Sequence, residues 1–547
     1  MTFRKPVLVV MLCAVAVSAP AAAAKGPPDV LRGGGPSAPA DSKFAVLGSD
    51  RNLARKHFTV VDQSGAKVLS GKLTKAPGKP DPFKRAFRAN LTALTAPGKY
   101  VVKAAGLKSR SWTVAPGATS PGIQTILGFF AMNADGTEAP AALHGPAHLN
   151  DALVKGGGPI PITGGWMDSG DMIHFTQTTA YNAMMLEASA RLLPAGADRT
   201  AVAATSDVGI HWLEKAHPSP GVFIGQVGDE RDHDIGFRDP AEDDASSKPG
   251  IGTRVAYPLQ GGDLGGKAAA ALAMAADRAT GPERAALIAQ AQDWYEMGKA
   301  SGRAAPSVDG FYEIDGWKDS LASGGAALFR VTGNPAYLAD ALAYLKQTDV
   351  SGDLGYDSVA SFAAAELCGA LGAPGLGDAA TVAASCKRFD LEAQYARDTV
   401  ADNAFGRAGY FSWGTTAASS GSGAVAALGG RSLGTPQGLS AGASARDYLF
   451  GRNPWGMSFV VGYGHKSPQH PHHWASVFGK GKPGGAVEGG PAPLNQITGE
   501  GFKAPSGPLS KFDSKRAAYE DRRQDYVTAE PTGDSAASSI LLLSALS

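Results

Sequence analysis

The chain changes character at Ser111-Trp112-Thr113-Val114-Ala115-Pro116-Gly117-Ala118-Thr119-Ser120-Pro121-Gly122. The first four residues carry the aromatic and β-branched side chains of a β-strand, and the two Pro-Gly pairs are typical of a boundary. Strand-like segments precede this stretch and helical periodicity follows it. The sequence therefore predicts a multidomain protein, with an all-β domain over residues 26–116 and an all-α domain over residues 120–547.

The β region contains about six short runs rich in β-branched and aromatic residues, separated by turn residues. These runs are Phe44–Leu47, Phe58–Val61, Lys67–Ser70, Phe87–Leu91, Tyr100–Lys103 and Ser111–Val114. Their regular spacing predicts a β-sandwich. It carries no obvious aromatic stripe for sugar binding, so we expect it to brace the second domain.

The second region has apolar residues at helical spacing, as in the face formed by Tyr337, Leu338, Ala341, Leu342 and Leu345. The predicted helices are Thr179–Leu193, Lys267–Ala279, Glu283–Lys299, Leu321–Val331, Pro335–Gln347, Val359–Leu371, Asp378–Asp398, Gly438–Leu449 and Gly533–Leu546. Long Gly- and Pro-rich loops join them, the longest at Gly464–Gly501. Helix number alone is compatible with a closed ring of helical hairpins, a solenoid or a bundle.

The composition excludes several partners and indicates export. A formal net charge of +1 over 547 residues gives no sign of binding to nucleic acid or to an anionic membrane. Arg4 and Lys5 precede an apolar run that ends before Ala21-Ala22-Ala23-Ala24, as in a cleaved signal peptide over residues 1–24. The run is too short to span a bilayer. We expect a secreted or periplasmic protein, monomeric and free of membrane once the signal is removed.

Two cysteines, Cys368 and Cys386, would remain after signal cleavage. An exported protein meets an oxidising compartment, in which they can pair. Two buried free thiols fit the sequence equally well, because sequence alone gives no geometry.

The first segment with chemical potential is Gly164-Gly165-Trp166-Met167-Asp168-Ser169-Gly170-Asp171. It places two carboxylates three residues apart in a Gly-rich stretch before a helix. Like charges held close separate the pKa values of the two groups, so that one can act as a base while the other orients water. The pair could equally cap the following helix or bind a metal.

The second segment runs from Asp447 to Gly464 and is followed by His465, His470, His472 and His473. Clustered histidines suggest zinc, but this Pro-rich loop lacks the helical spacing and flanking Cys or Glu of a zinc site. Neutral histidines that hydrogen-bond a substrate are the favoured interpretation.

The third segment, Tyr519–Pro531, contains Glu520, Asp521, Asp525 and Glu530 before the final apolar helix. It reads either as a solvated run of charges or as a site. Aromatic and small residues around Glu530 would desolvate its carboxyl group and raise its pKa toward neutrality, as a general acid requires.

Together the three segments resemble glycoside hydrolase family 9, in the family's order and over roughly residues 120–547. The resemblance implies an (α/α)6 barrel preceded by an immunoglobulin-like sandwich. It also implies Asp171 as catalytic base, Asp168 as a holder of the water and Glu530 as catalytic acid. Asp521 would be a supporting carboxylate and His472 an active-site histidine. Val227–His233 resembles a stretch that lines the family's substrate cleft.

The sequence departs from the family pattern at several positions. Trp474 stands where the histidine signature has an arginine that contacts sugar, so we expect Trp474 to stack on a sugar face instead. Ala529 and Ala536 replace two asparagines of the C-terminal signature. At the family's calcium site Asp319 matches one ligand but Ser320 replaces the adjoining Glu, and we expect Asp315 and Asp357 to compensate.

These observations predict an inverting hydrolase of β-1,4-linked glucan, with a polysaccharide or oligosaccharide substrate and no organic cofactor. In such enzymes two carboxyl groups about 6.5–9.5 Å apart leave room for the attacking water. The predicted substrate-binding residues share aromatic rings or a place near the motifs: Trp166, His233, Trp413, Trp455, Tyr463, His473, Trp474 and Tyr526. Alternatives are an exo-acting β-glucosaminidase or other β-glycosidase on the same fold, and a silent carbohydrate-binding protein.

Overall fold

The computed structural model describes residues 26–137, 144–248, 251–478 and 482–547. The predicted signal peptide, residues 1–24, lies outside the described residues. Nine strands form the N-terminal domain: β1 (Val30–Arg32), β2 (Phe44–Ser49), β3 (His57–Val61), β4 (Lys67–Lys72), β5 (Thr74–Lys75), β6 (Arg85–Asn90), β7 (Gly98–Ala104), β8 (Leu107–Lys108) and β9 (Trp112–Val114).

The nine strands build two facing antiparallel sheets. One has the order β1-β2-β6-β5, and the other has the order β4-β3-β7-β8 with β9 paired to β7. Leu47 lies opposite Phe87 in the first sheet, and Val60 lies opposite Val102 in the second. All four side chains are buried in the same apolar cluster, which confirms the predicted sandwich.

The remainder of the chain is mainly helical. Among its described residues, twelve longer helices build the barrel. They are α1 (Ser120–Asn133), α2 (Thr176–Leu192), α3 (Ala197–Lys215), α4 (Gly262–Arg278), α5 (Gly281–Ser301), α6 (Lys318–Thr332), α7 (Pro335–Leu345), α8 (Ala360–Cys368), α9 (Ala379–Ala401), α10 (Thr415–Ser432), α11 (Pro436–Leu449) and α12 (Gly533–Ala545). Even-numbered helices are almost wholly buried, whereas the odd-numbered ones are partly exposed, α11 only in its first turns.

The even-numbered helices form a closed inner ring. Each packs on the next, and α12 returns to contact both α10 and α2. The odd-numbered helices surround this ring, which gives an (α/α)6 barrel and excludes the solenoid and the open bundle. Because α12 lies beside α2, the segment that precedes each of these helices lies at the same end of the barrel.

Shorter elements decorate the barrel. A small sheet contains β10 (Leu153–Val154), β11 (His174–Phe175), β12 (Ile224–Val227) and β13 (Val255–Pro258). Single-turn α-helices span Arg231–Ile235, Ala475–Phe478, Leu494–Gly499 and Tyr526–Ala529, and 3₁₀ turns span Pro240–Ala245 and Ser510–Phe512. Strand β11 immediately precedes α2, so the sheet holds the loop that contains Asp168 and Asp171.

The sandwich docks on the barrel through charged and aromatic contacts. Arg446 of α11 donates hydrogen bonds to Asp41 and to Ser37, the latter at 3.1 Å. The guanidinium group of Arg452 lies 3.7 Å from the centroid of the Phe44 ring. Burial of these groups fixes the sandwich against the side of the barrel.

Cys368 at the end of α8 and Cys386 in α9 form a disulfide. The structure thus selects pairing from the two alternatives that the sequence left open. None of the helices in the described residues is long and apolar enough to cross a membrane.

Candidate active site

Asp168 and Asp171 lie in the loop that enters β11 and α2. Hydroxyl groups of Thr178 and Tyr312 donate to the two oxygens of Asp168, whose side chain is buried. A Cβ atom on Gly170 would lie 2.4 Å from the His472 carbonyl oxygen, so only glycine allows this approach of the two chain segments. The loop is thereby pressed against the histidine segment.

Glu530 belongs to the C-terminal part of the chain but lies at the same end of the barrel as Asp168 and Asp171. It directly follows the turn Tyr526–Ala529 and precedes Thr532, whose side chain caps α12. Its Oε1 atom accepts hydrogen bonds from the Ser169 hydroxyl at 2.9 Å and from the Gly170 backbone N–H at 3.4 Å. The closed helical ring therefore brings together carboxyl groups that are far apart in sequence.

Ser169 joins the two predicted catalytic carboxyl groups. Its Oγ atom lies 3.1 Å from Asp171 Oδ2 and 2.9 Å from Glu530 Oε1. A serine hydroxyl has one proton to donate and two lone pairs that can accept. When Glu530 is protonated it can donate to Ser169, which in turn donates to Asp171.

The three carboxyl groups have different proton affinities. Burial, reinforced by the charge of Asp171, raises the pKa of Glu530 to about 7. Burial and Asp171 also raise the pKa of Asp168 well above its usual range. Burial acts in the same direction on Asp171, but hydrogen bonding from His233 and the Ile173 backbone outweighs it and lowers the pKa of Asp171. The site thus holds an ionised base next to an acid that is protonated near neutral pH.

His233 contacts the proposed base directly. Its Nε2 atom lies 3.2 Å from Asp171 Oδ2, and the imidazole is half-exposed. The hydrogen bond to Asp171 raises the pKa of His233 to about 9, so the ring carries a positive charge at neutral pH. This charge keeps Asp171 ionised.

His472 and Asp521 organise the wall of the site. The Asp521 carboxylate accepts from the backbone N–H groups of Gln469 at 2.9 Å and of His470 at 2.7 Å, which fixes the histidine segment. The Nδ1 atom of His472 lies 2.6 Å from the Arg523 carbonyl oxygen, a position in which it donates. Asp521 thus supports the site through the backbone rather than by contact with the reacting carboxyl groups.

Trp413 and Tyr526 form an exposed aromatic pair near Glu530. Their ring centroids are 5.5 Å apart with an angle of 28° between the planes. Trp413 is 45% exposed, so a face or edge of the indole is available to a ligand. The edge of the Tyr526 ring also meets His472, at 5.7 Å between centroids. These two residues fit the role of sugar platform that the sequence assigned to them.

Trp474 and His473 do not fit the substrate-binding role that the sequence suggested. Trp474 is 2% exposed and packs edge-on against His144, with 5.3 Å between centroids. His473 is fully buried and contacts the Asn133 side chain at 2.9 Å. Both side chains point into the core, so the expected stacking of Trp474 on a sugar is wrong.

Three further aromatic residues are also corrected. Trp166 is 4% exposed and lies in the barrel core. Trp455 is 3% exposed and donates its indole N–H to Asp513 at 2.7 Å. Tyr463 packs on Phe450, with 4.8 Å between ring centroids. Each ring lies close to a motif in the sequence, which suggested a place in the substrate site, but in the structure each packs against other parts of the protein.

The predicted calcium ligands do not assemble a cation site. Among the described residues no group of three or more His, Cys, Asp or Glu side chains is arranged to hold a metal ion. Asp319 instead accepts from the backbone N–H groups of Ser320 and Val359, at 2.9 and 2.7 Å. Asp315 and Asp357 are exposed.

A lysine provides positive charge in this region. Lys267 of α4 is 1% exposed. Burial lowers its pKa, while the charges of Asp263, Asp319 and Asp357 act to raise it. A divalent cation beside Lys267 would be repelled, so these residues do not fit calcium.

We therefore expect removal of calcium to leave stability unchanged. The melting temperature in excess EDTA should match that in excess CaCl2 to within about 1 °C, because no bound ion is lost. Lys267→Met should instead lower it by several degrees, since buried carboxylates lose their cation. Differential scanning calorimetry measures both, and a melting temperature that falls in EDTA and recovers with calcium would contradict the expectation.

Several contacts of the site gave no signal in the sequence. Ser169 lies between two motif residues but is not itself part of the motif, and Tyr312 lies in a loop without recognisable pattern. The ring of Tyr312 also meets Tyr356 edge-on, with 4.9 Å between centroids. A search for hydroxyl side chains between two candidate catalytic residues would have found Ser169 but not Tyr312.

The pKa of Glu530 predicts how activity depends on pH. The acid must keep its proton, so kcat should fall as pH rises through about 7. Asp171 has a lowered pKa and stays ionised, which puts the acidic limb below the usual Asp range. Ser169 stabilises the Glu530 carboxylate, so Ser169→Ala should move the basic limb to higher pH. A basic limb that does not move in that variant would contradict the assignment.

Both domains of the chain are similar to known protein families. A family model described as glycosyl hydrolase family 9 matches residues 122–543, and one for the cellulase N-terminal ig-like domain matches residues 38–109. Endoglucanase 14 of Arabidopsis thaliana is 30% identical over 434 residues, which cover 71% of this chain and 85% of the relative. An endoglucanase of Dictyostelium discoideum is 29% identical over 374 residues, covering 65% and 52%.

Solved structures share the fold. AaCel9A in complex with cellobiose-like isofagomine gives a TM-score of 0.79 at 22% identity, covering 94% of this chain and 99% of that one. The endoglucanase of the termite Nasutitermes takasagoensis gives 0.62 at 21% identity, covering 78% and 98%. With the family model matched over most of the length, the chain belongs to glycoside hydrolase family 9, with an immunoglobulin-like domain of the cellulase N-terminal type before the catalytic barrel.

Proposed function

We propose that this protein is an inverting glycoside hydrolase that cleaves β-1,4-glucosidic bonds in cellulose or a related β-glucan. The observation that carries the proposal is the meeting of Asp171 and Glu530 at Ser169, with pKa values shifted in opposite directions. Relatives named as endoglucanases support the glucan substrate.

In the proposed reaction Asp171 accepts a proton from a water molecule as the water oxygen attacks the anomeric carbon. Glu530 gives its proton to the glycosidic oxygen, and the bond between that oxygen and the anomeric carbon breaks. Water is consumed and each carboxyl group exchanges one proton. His233 keeps the base ionised before the step, and Asp168, whose two oxygens accept from Thr178 and Tyr312, helps to hold the water.

The separation of the carboxyl groups makes the stereochemistry the decisive test. Both nearest oxygens contact Ser169 Oγ, at 3.1 and 2.9 Å, so they are at most about 6 Å apart, and this upper limit does not select between the spacings of about 5–5.5 Å for retaining pairs and about 6.5–9.5 Å for inverting pairs. We expect the α anomer as the first product from cellotetraose, because single displacement inverts a β bond. Proton NMR within minutes of mixing detects it, and a first-formed β anomer would overturn the proposed mechanism.

A substrate panel separates the alternatives. We expect cellotetraose and a soluble mixed-linkage β-glucan to be cut and a chitosan tetramer to be left intact. Release of single glucosamine units from the chitosan tetramer alone would establish the β-glucosaminidase instead. Binding of cellotetraose without product, at enzyme concentrations equal to substrate, would establish a silent carbohydrate-binding protein.

We also propose export and action as a monomer. The Cys368–Cys386 disulfide supports an oxidising compartment. The mature protein recovered from culture medium or periplasm should begin at Lys25 by mass spectrometry. A protein that keeps Met1 in the cytoplasm would contradict export, and light scattering gives the oligomeric state.

A further inference from the structure

A second cavity lies apart from the catalytic carboxyl groups. Its volume is about 670 Å³, within the usual range for a ligand site. Its walls come from the end of α9, from the loop 402–414 and from the segment 493–516. The sandwich contacts the same region, through the ion pairs Lys79–Asp402 at 3.5 Å and Arg516–Asp81 at 3.1 Å.

Arg407 in the wall of this cavity is a buried cation with no carboxylate within ion-pair distance among the described residues, although the charge of Asp402 in the same wall acts to raise its pKa. Its side chain is 4% exposed, and burial lowers its pKa only to about 10, so it is charged at neutral pH. Nη1 donates to the Ala408 carbonyl at 2.8 Å, while Nε has no hydrogen-bond partner. The guanidinium carbon lies 4.3 Å from the centroid of the Phe411 ring.

The other buried arginines behave differently. Arg254 pairs with Asp151, and both Arg446 and Arg452 pair with Asp447. Within the described ranges Arg407 is the one buried arginine with no carboxylate inside ion-pair distance. Burial of a charge is costly unless it is paired, so a group that enters the cavity with a negative charge would complete this site.

Two tyrosines give the cavity the features of a sugar site. Tyr395 is 54% exposed and Tyr410 is 52% exposed, so both rings offer apolar faces and a hydroxyl group to a ligand. Exposed Lys515 adds another positive charge to the wall. Of the two aspartates in the wall, Asp402 pairs with Lys79 of the sandwich, whereas Asp398 does not pair with the sandwich. Carbohydrate rings and a carboxylate match this combination of phenol rings and cations.

The cavity shares a loop with the cleft but not its reacting groups. Tyr410 is three residues before Trp413, which stacks on Tyr526 beside Glu530. None of the residues that line the cavity contacts Asp171 or Glu530 through a hydrogen bond. Occupation of the cavity therefore need not block the reaction.

We propose that this cavity binds an acidic oligosaccharide, in which a uronate carboxylate pairs with Arg407 and sugar rings stack on Tyr395 and Tyr410. The site is separate from the catalytic pair and stands whether or not the proposed glucanase activity is correct. It would hold the protein on polysaccharides that carry uronic acids.

Isothermal titration calorimetry on the full chain tests the proposal. The probes are a β-1,4-linked tetramer of glucuronic acid and cellotetraose, its neutral counterpart with the same linkage. We expect the acidic tetramer to bind with an affinity that falls at least tenfold in Arg407→Met and at high salt. Tyr395→Ala, at an exposed position, should weaken binding at least threefold without affecting folding.

Inhibition kinetics test whether the acidic tetramer binds outside the catalytic cleft. With 2,4-dinitrophenyl β-cellobioside as substrate, the acidic tetramer should not act as a competitive inhibitor, and Arg407→Met should keep the wild-type kcat. Equal binding of the acidic tetramer by wild type and Arg407→Met would overturn the proposal, as would competitive inhibition. If 2,4-dinitrophenyl β-cellobioside is not hydrolysed at all, the proposed function fails while the calorimetric test of the cavity remains valid.

Discussion

Replacement of Glu530 by Gln is expected to reduce kcat on cellotetraose by about 10²- to 10⁴-fold, the usual contribution of a positioned acid. The amide keeps the size of the side chain and can still hydrogen-bond Ser169, so the fold should persist. What is lost is the proton that the leaving oxygen needs. Steady-state kinetics with reducing-end analysis measures the effect, and turnover at the wild-type rate would reject Glu530 as the acid.

Glu488 provides a matched control for this variant. Like that of Glu530, its pKa is raised by burial; Glu488 is fully buried and the Tyr519 hydroxyl donates to it at 2.5 Å. Backbone pairing of Glu488 with Pro531 places it close to Glu530 in the structure. Glu488→Gln should keep activity within a factor of about three, because its carboxyl group does not contact Ser169 or Asp171.

The leaving group separates the two catalytic roles. A dinitrophenolate departs without a proton, so 2,4-dinitrophenyl β-cellobioside should restore much of the rate in Glu530→Gln. Asp171→Asn should be equally slow on both substrates, because activation of water is needed in each case. Equal loss on both substrates in Glu530→Gln would indicate that the glutamate does not act as the acid.

The sequence predicted the chemistry better than the surroundings of the site. Asp168, Asp171 and Glu530 were singled out because three segments in one order resemble a family, and the structure brings these carboxyl groups together. Trp474 and Trp166 were misplaced because an aromatic residue beside a motif has no signature that separates a ligand platform from core. The burial of these rings depends on contacts with α1, a helix that the sequence did not predict.

Three helices were missed for physical reasons. Helix α1 begins at Ser120, so Pro121 lies in its first turn, where proline is favoured, although the Pro-Gly pair had indicated a boundary. Helix α3 is polar and has a weak apolar pattern. Helix α10 reads as a Gly- and Ser-rich loop, yet a Cβ on Gly421 would lie 1.8 Å from the Leu354 carbonyl oxygen. Small residues there permit close packing in the inner ring.

A buried network of charges also escaped sequence analysis, and it supports the catalytic loop. Arg254, the residue before β13, is 2% exposed and pairs with both Asp151 and Asp135. Burial and Arg254 act to lower the pKa of His148, but Asp135 and Asp243 outweigh them and raise it to about 9. The network is therefore a set of alternating charges, in which each carboxylate depends on a neighbouring cation.

Arg254→Met should destabilise the barrel by about 3–5 kcal/mol, the range for a buried pair that loses one partner. Asp135 and Asp151 would remain buried with less positive charge nearby, while methionine fills only part of the space. Urea unfolding followed by tryptophan fluorescence measures the change.

Activity adds a second expectation for the same variant. Arg254 donates to the carbonyl oxygen of Met172, the residue that follows the proposed base, so kcat should fall even where the variant is fully folded. Arg51→Met is the matched control: its side chain is 64% exposed and pairs with Asp29, so its loss should cost less than about 1 kcal/mol. If Arg254→Met proved as stable and as active as Arg51→Met, the network would hold neither the barrel nor the catalytic loop, and the position of Asp171 would have to depend on its contacts with His233, Ser169 and the Ile173 backbone N–H.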